Sequence, residues 1–391
     1  MKGKLIDLFE YTHHFNKEIQ NYINANLNTD LHSLLLKKSP FPEVSMQEIV
    51  QQIKGRQTAR KKFPFLLKEG VIFPPQLNLE QSSSESTALY KSQILKGNKF
   101  IDLTSGFGID AYYLSRNFNE VTLVEQNSEL LNIVEHNWGI LNRKATFINQ
   151  NLEDFLNINK EYFDVIYLDP ARRDKNKNKV FLLEDLSPDV LQIKEKLLMA
   201  ADQVVIKLSP LIDLKYLVSV LPGIFRIEII AVKNDVKEAV IFLSNEKRGE
   251  ITVNCINLES EESDFLFKFG EEENARAEYA EPEKFIYIPN NSILKAGVFN
   301  LISERFGLKK LHPNTHLYTS DQKIDDFPGR ILEMEAVESK QIKKKEQFNI
   351  ISKNYPLKPE DIKKKYGIKD GGEGYLIFTQ SKKGKIILKS V

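Results

Sequence analysis

The stretch that most limits what this chain can become is KFIDLTSGFGIDAYYL, from Lys99 to Leu114. A short apolar run through Phe100, Ile101, Asp102 and Leu103 stops at Thr104-Ser105-Gly106-Phe107-Gly108, and a helical pattern starts at Ile109. Strand, glycine turn and helix in that order let backbone approach a ligand with no Cβ in the way. The segment that follows keeps the same rhythm. Strands are expected at Lys99–Thr104, Glu120–Glu125, Ala145–Asn149, Asp164–Asp169 and Gln203–Leu208, with helical patterns between them. FDVIYLD and QVVIKLS are apolar at consecutive positions, as in strands covered on both faces. Alternation of this kind predicts a doubly wound parallel sheet. FRIEIIAVKNDVKEAVIFLS then holds two strands, Phe225–Val232 and Ala239–Leu243, with only a short polar connection. That is a hairpin, whereas dinucleotide-binding domains are parallel throughout.

The flanks differ from this core. At 391 residues, 41% of them hydrophobic, the chain is long enough for two to four domains. Residues 1–92 read as helices. Asp30 is placed to cap one of them, and Met46, Ile49, Val50 and Ile53 fall at helical spacing in another. That second helix and its sequel carry Lys54, Arg56, Arg60, Lys61, Lys62 and Lys68, either a solvated face or a phosphate-contacting surface. Ser82 to Ser84 offer caps to a helix that leads into the glycine-turn strand and is expected close to that turn. Beyond Ser244, Glu250–Leu258 reads as a further strand, and Phe265, Phe267 and Phe269 alternate within an acidic run. Two small α+β units follow. From Ser339 to Val391 there are fourteen lysines against five acids, with Lys343, Lys344, Lys345 and Lys363, Lys364, Lys365 in threes. A second basic segment points to an anionic partner. The net charge is +1, Cys255 is the single cysteine, and the six histidines show no metal spacing. With no long apolar run and no secretion signal, the chain is expected to be soluble and cytoplasmic, without metal or membrane.

The glycine turn departs from a dinucleotide fingerprint. Gly106-x-Gly108 lacks the third glycine, and Asp102 lies four residues before Gly106. A carboxylate there would repel a pyrophosphate but suits a ligand with a positive centre and an amino group. Glu125 ends the next strand, where an acid can accept hydrogen bonds from ribose hydroxyls. Asn151, Glu153 and Asp154 follow the third strand, where a side chain can read an adenine edge. Together these residues describe an adenosine pocket without a phosphate. A nucleotide-binding α/β domain of another kind is the alternative.

On these residues the chain resembles the class I S-adenosylmethionine-dependent methyltransferases, which also end their sheet in an antiparallel hairpin. The resemblance implies a Rossmann-like seven-stranded α/β sheet with S-adenosylmethionine as cofactor. It assigns the methionine half to the turn (Thr104, Gly106 and Gly108, with Asp102 beside it), the ribose to Glu125 and the adenine to Asn151. In that fold the catalytic loop follows strand four, here Asp169-Pro170-Ala171-Arg172-Arg173. Asp169 can orient a target amine, and the arginines suit phosphate or carboxylate. Neither this loop nor Ile206–Pro210 holds the cysteine that methylation at pyrimidine C5 needs. Ala171 and Arg172 stand where amine methyltransferases often carry Pro-Tyr, which leaves the acceptor atom open.

SSSESTALYKSQILKGNKFIDLTSGFGID and VEHNWGILNRKATFIN, with His136-Asn137, resemble the trimethylguanosine synthase branch. Gln81-Ser82-Ser83-Ser84-Glu85, the Asp169 loop and Asn354–Thr379 resemble bacterial methyltransferases with a THUMP-like C-terminal domain. The expected layout is a helical region (1–92), the methyltransferase domain (93–246), a ferredoxin-like α+β domain (247–322) and a THUMP-like domain (323–391). The expected activity is methylation of a nitrogen in structured RNA, tRNA or rRNA, gripped by the basic N- and C-terminal regions. A protein or small-molecule methyltransferase and a non-catalytic RNA-binding protein are the alternatives.

Overall fold

The computed structural model describes residues 16–172, 182–246 and 248–391. Its N-terminal helices are α1 (Lys17–Ala25), α2 (Leu31–Leu35), α3 (Met46–Lys62), α4 (Gln76–Gln81) and α5 (Glu85–Gln93). Asp30 caps α2 through Ser33 N at 2.9 Å, as its position in sequence predicts. Ser45 and Glu48 form a capping box on α3. One residue of the basic series is not on the surface. The Arg56 guanidinium is buried and donates to Asn24 Oδ1 at 2.8 Å and to Gln20 Oε1. It therefore ties α3 to α1 through its two terminal nitrogens, while its Nε is buried without a hydrogen-bond partner among the described residues. Arg60, Lys61 and Lys68 are exposed.

An irregular segment, residues 70–73, runs between α3 and α4. Val71, Ile72 and Phe73 are buried, so their backbone needs partners. Asn137 takes both polar groups of Ile72, at 2.9 and 2.8 Å. Gln52 does the same for Phe73, at 2.8 and 2.9 Å. His136 Nε2 lies 3.0 Å from Gly70 O. The His136-Asn137 pair thus holds the N-terminal region in place. Phe73 also explains Gly55, since a Cβ there would stand 2.3 Å from Phe73 Cβ.

Two compact units divide the chain: residues up to 225 with 240–248, and residues 226–239 with 249–391. The N-terminal helices belong to the first unit. Its strands are β1 (Lys99–Asp102), β2 (Glu120–Glu125), β3 (Thr146–Asn149), β4 (Phe163–Leu168) and β7 (Ala201–Leu208). A two-residue ribbon, β5 (Ala171–Arg172) with β6 (Leu186–Ser187), lies between β4 and β7. Helices α6 (Ile109–Leu114), α7 (Ser128–Ile140), α8 (Leu152–Ile158) and α9 (Val190–Ala200) connect the strands. β1 pairs in parallel with β2 and β4, β2 with β3, and β4 with β7. The order reverses between β2 and β4 around β1, which opens a crevice at the carboxyl ends.

The hairpin is β8 (Ile224–Val232) and β9 (Asp235–Leu243), turned by Lys233 and Asn234 at φ of 50° and 65°. Two residues of positive φ are what a tight hairpin requires. The strand order is β3-β2-β1-β4-β7-β9-β8-β10-β11. Here β10 (Thr252–Leu258) pairs in parallel with β8, and β11 (Phe265–Lys268) pairs antiparallel with β10. Both strands fall in the span that the sequence assigns to the ferredoxin-like domain (247–322); they pair beside β8, within the second unit.

The second unit also holds an eight-stranded sheet, of order β12-β14-β15-β13-β16-β19-β18-β17. Its strands run from β12 (Glu278–Tyr279), β13 (Phe285–Pro289), β14 (Lys309–His312) and β15 (Thr315–Ser320) to β16 (Gly329–Ala336), β17 (Gln347–Ser352), β18 (Lys369–Ser381) and β19 (Gly384–Ser390). Ile286, Leu311 and Leu317 share one apolar core with Met334, Ile377 and Leu388. The two small C-terminal domains are therefore halves of one sheet.

Candidate cofactor site and catalytic edge

The glycine turn is knitted to both neighbouring strands. Ser105 N donates to Val124 O at 3.1 Å, and Leu103 N to Tyr167 O at 3.0 Å. Thr104 Oγ1 accepts from Asp169 N at 2.6 Å, so the turn and the expected catalytic loop share one hydrogen bond. Gly106 and Gly108 have φ of 52° and 73°. They are glycines for different reasons. A Cβ on Gly108 would lie 2.9 Å from Val134 Cγ1 on α7, so that position is closed by packing. A Cβ on Gly106 would meet only Thr104 O, at 3.8 Å. Gly106 borders space that a ligand can fill. Among the described residues, Ser105 Oγ is buried beside it without a hydrogen-bond partner.

Glu125 closes the β2 side. Its carboxylate accepts from Gly106 N at 3.0 Å and from Asn127 N at 2.8 Å. Asn149 donates to Glu125 O at 2.8 Å and so joins the ends of β3 and β2. Asn151 is exposed at the start of α8, where its Oδ1 caps Glu153 N and Asp154 N at 2.8 and 3.2 Å. Asp102 is buried, and Thr104 N donates to it at 2.9 Å. Burial drives its carboxyl well above the usual range, and Asp110 and Asp169 push the same way.

On the β4 side stands a charged cluster that the sequence reading did not assemble. Asp110, in the first turn of α6, pairs with Lys91 of α5 at 2.9 Å and with Lys207 of β7 at 3.3 Å. Its Oδ2 also accepts from Ser83 Oγ at 2.7 Å and Tyr167 OH at 2.8 Å. Burial opposes its ionisation, but Lys91 and Lys207 outweigh that and hold the carboxyl below the ordinary range. Lys207 also pairs with Asp169. Asp169 keeps 36% of its side chain exposed, while burial raises its pKa against the pull of Lys207. Pro170 is buried, and Ala171 and Arg172 are exposed on the ribbon, paired with Ser187 and Leu186. Arg173 lies outside the described residues. One signal in the sequence pointed to the cluster: Lys207 is the lone charge in an apolar strand end, VVIKL.

The structure thus gathers Asp102, Thr104, Asp110, Asp169 and Lys207 at the ends of β1, β4 and β7. It sets Gly106 against Glu125, and leaves Asn151 further along the same edge. An open glycine cradle, an unpartnered buried hydroxyl and a buried carboxyl fit an adenosyl ligand with a cationic amino acid end.

Comparison with known proteins shows what the chain is similar to. A family model described as conserved hypothetical protein 95 matches residues 86–205, a ferredoxin-like domain matches 285–328, and a THUMP domain-like model matches 330–389. A Porphyromonas gingivalis W83 protein assigned as a methyltransferase is 30% identical. Its crystal structure aligns over 95% of this chain and 96% of that one, with a TM-score of 0.84. An uncharacterized RNA methyltransferase of Mycoplasma mobile is 26% identical over 193 residues, 45% of this chain and 53% of that protein, so about half of that relative is spanned. The chain belongs to the S-adenosylmethionine-dependent methyltransferases that carry ferredoxin-like and THUMP-like C-terminal domains.

Proposed function

We propose that the protein methylates a nitrogen of a nucleotide in structured RNA, tRNA or rRNA. The observation that carries this reading is the single hydrogen bond from Asp169 N to Thr104 Oγ1, which sets a partly exposed carboxylate beside the glycine cradle. S-adenosylmethionine supplies an electrophilic methyl group on a sulfonium. Gly106 would leave room for its methionine half while Gly108 lets the turn pack on α7, Asp102 would face the amino group, Glu125 would accept from the ribose, and Asn151 would contact the adenine. Asp169 would accept a hydrogen bond from the acceptor nitrogen, orient its lone pair, and take the proton that nitrogen loses as the N–C bond forms, the sulfur–methyl bond breaks and the neutral thioether leaves. Pro170 keeps the loop tight, and Arg172 holds a neighbouring phosphate.

The acceptor class follows from several supports. The Mycoplasma mobile relative is an RNA methyltransferase by name, and the C-terminal domain is THUMP-like. Cys255 is buried in β10 with its thiol pushed up by burial, so it is a poor nucleophile for pyrimidine C5 chemistry. Lys345 N donates to Gly367 O at 2.7 Å, two residues beyond the second lysine triplet. Lys343, Lys344, Lys345, Lys364 and Lys365 are exposed, and exposed ammonium groups suit a phosphate backbone.

The test is transfer of labelled methyl from S-adenosylmethionine to separate tRNA, rRNA and protein fractions. Label in an RNA fraction is expected; label in protein alone would replace RNA with a protein substrate. Gly106→Arg fills the cradle and is expected to abolish cofactor binding by calorimetry. Unchanged affinity would remove the pocket assignment.

A further inference from the structure

We infer that Lys207 is a positioning residue for methyl transfer: anchored on Asp110 and Ser83, it aims the Asp169 carboxylate at the acceptor and keeps it ionised. This rests on the reading of Asp169 as the group that meets the acceptor. Three observations carry it. Lys207 Nζ reaches three side chains from three different elements: Asp169 after β4, Asp110 on α6 at 3.3 Å, and Ser83 before α5 at 3.0 Å. A buried ammonium with three fixed partners has one orientation. Asp110 is in turn held by Lys91 at 2.9 Å and by Tyr167 OH at 2.8 Å, so the anchor is itself anchored. Finally, the exposures are graded. Lys91 and Asp110 are 0% and 8% exposed, Lys207 11%, and Asp169 36%. The order runs from a sealed ion pair outward to the one carboxylate that a substrate can touch.

The charges around Asp169 agree. Lys207 faces it from β7, Lys91 from α5, Asp110 from α6 and Asp102 from β1. Two ammonium groups match Asp110 and Asp169, and Asp102 is the carboxyl that burial drives toward its neutral form. Without Lys207, Asp169 would sit in a partly buried site with two other carboxyls and only the more distant Lys91. It would then hold its proton and could neither accept from an amine nor take its proton. Lys207→Met therefore acts through the ionisation of Asp169, not through cofactor contacts.

The experiment is the titration of the Asp169 side-chain carboxyl by carbon NMR in the full chain, assigned by the signal that Asp169→Asn removes. This readout needs no RNA, so it separates failure of this inference from failure of the proposed substrate. Lys207→Met is expected to move the midpoint up by at least one pH unit, and Lys207→Arg by less than half of that. With active RNA, the acid limb of kcat should move by the same amount while KM for the cofactor stays put. A midpoint unchanged in Lys207→Met overturns the inference. Should Lys207→Met prove too unstable to titrate, the double variant Asp169→Asn/Lys207→Met decides. It is expected to recover most of the lost melting temperature, because no carboxylate is left unpaired at Asp169. Losses that simply add would overturn the coupling.

Discussion

The same side chain does opposite work in two regions of this protein. Lys91 and Lys207 are buried beside Asp110 and Asp169 at the proposed catalytic edge. Lys343 to Lys345 and Lys364 to Lys365 are exposed in the THUMP-like half. Burial makes the first pair expensive to leave unmatched, rigid and hard to screen. Exposure makes the second group weak one by one, mobile, and available to any anion. The catalytic edge needs a fixed field at one atom. An RNA backbone needs several positive charges at no exact spacing.

The largest effect expected from this contrast is at Asp110. Asp110→Ala would remove the buried carboxylate that Lys91 and Lys207 share and is expected to cost about 3–5 kcal/mol of stability, read from denaturant midpoints. A loss below about 1 kcal/mol would mean that the cluster behaves like a surface pair. Next is the pH dependence of cofactor binding. Burial raises the Asp102 carboxyl pKa, whereas a cationic amino acid end bound beside it would favour the carboxylate. Affinity should therefore rise as pH increases through the Asp102 pKa, with proton uptake by buffer on binding. Calorimetry in buffers of different ionisation heat checks this, and Asp102→Asn should abolish the dependence.

The exposed lysines should behave otherwise. Replacing Lys343, Lys344 and Lys345 by alanine should leave the melting temperature unchanged but weaken RNA binding, with the log–log salt slope lowered by about 2 if each lysine meets one phosphate. A salt-insensitive wild-type affinity would break the phosphate-clamp reading. The smallest effect is expected at Lys363, which already pairs with Glu360 at 2.9 Å and Asp370 at 3.0 Å. Lys363→Ala should change RNA affinity less than removal of any one of the unengaged neighbours tested, and a larger loss would place Lys363 at the centre of the contact.

What the sequence made legible follows from range. The glycine turn, the hairpin and the Asp169 loop are local patterns, and each stands where its local chemistry puts it. The charged cluster is not local: Ser83 and Lys207 are 124 residues apart, and only the sheet brings them to 3.0 Å. Arg56 looked like one more charge on a basic helix, because its partners Gln20 and Asn24 lie on another helix. The strands at Thr252–Leu258 and Phe265–Lys268 were visible by alternation, but alternation is the same in either sheet and does not choose one. Asn151 shows the remaining gap. Its position at the end of β3 was legible, while its Oδ1 is engaged as a helix cap.

The central claim is that the Asp169 edge methylates a nucleotide nitrogen. Its most direct test is mass spectrometry of RNA nucleosides from a strain lacking the gene, complemented with wild type or with Asp169→Asn. One N-methylated nucleoside should be missing from the deletion strain, return with wild type and stay missing with Asp169→Asn. The same nucleoside profile in all three strains would contradict the account.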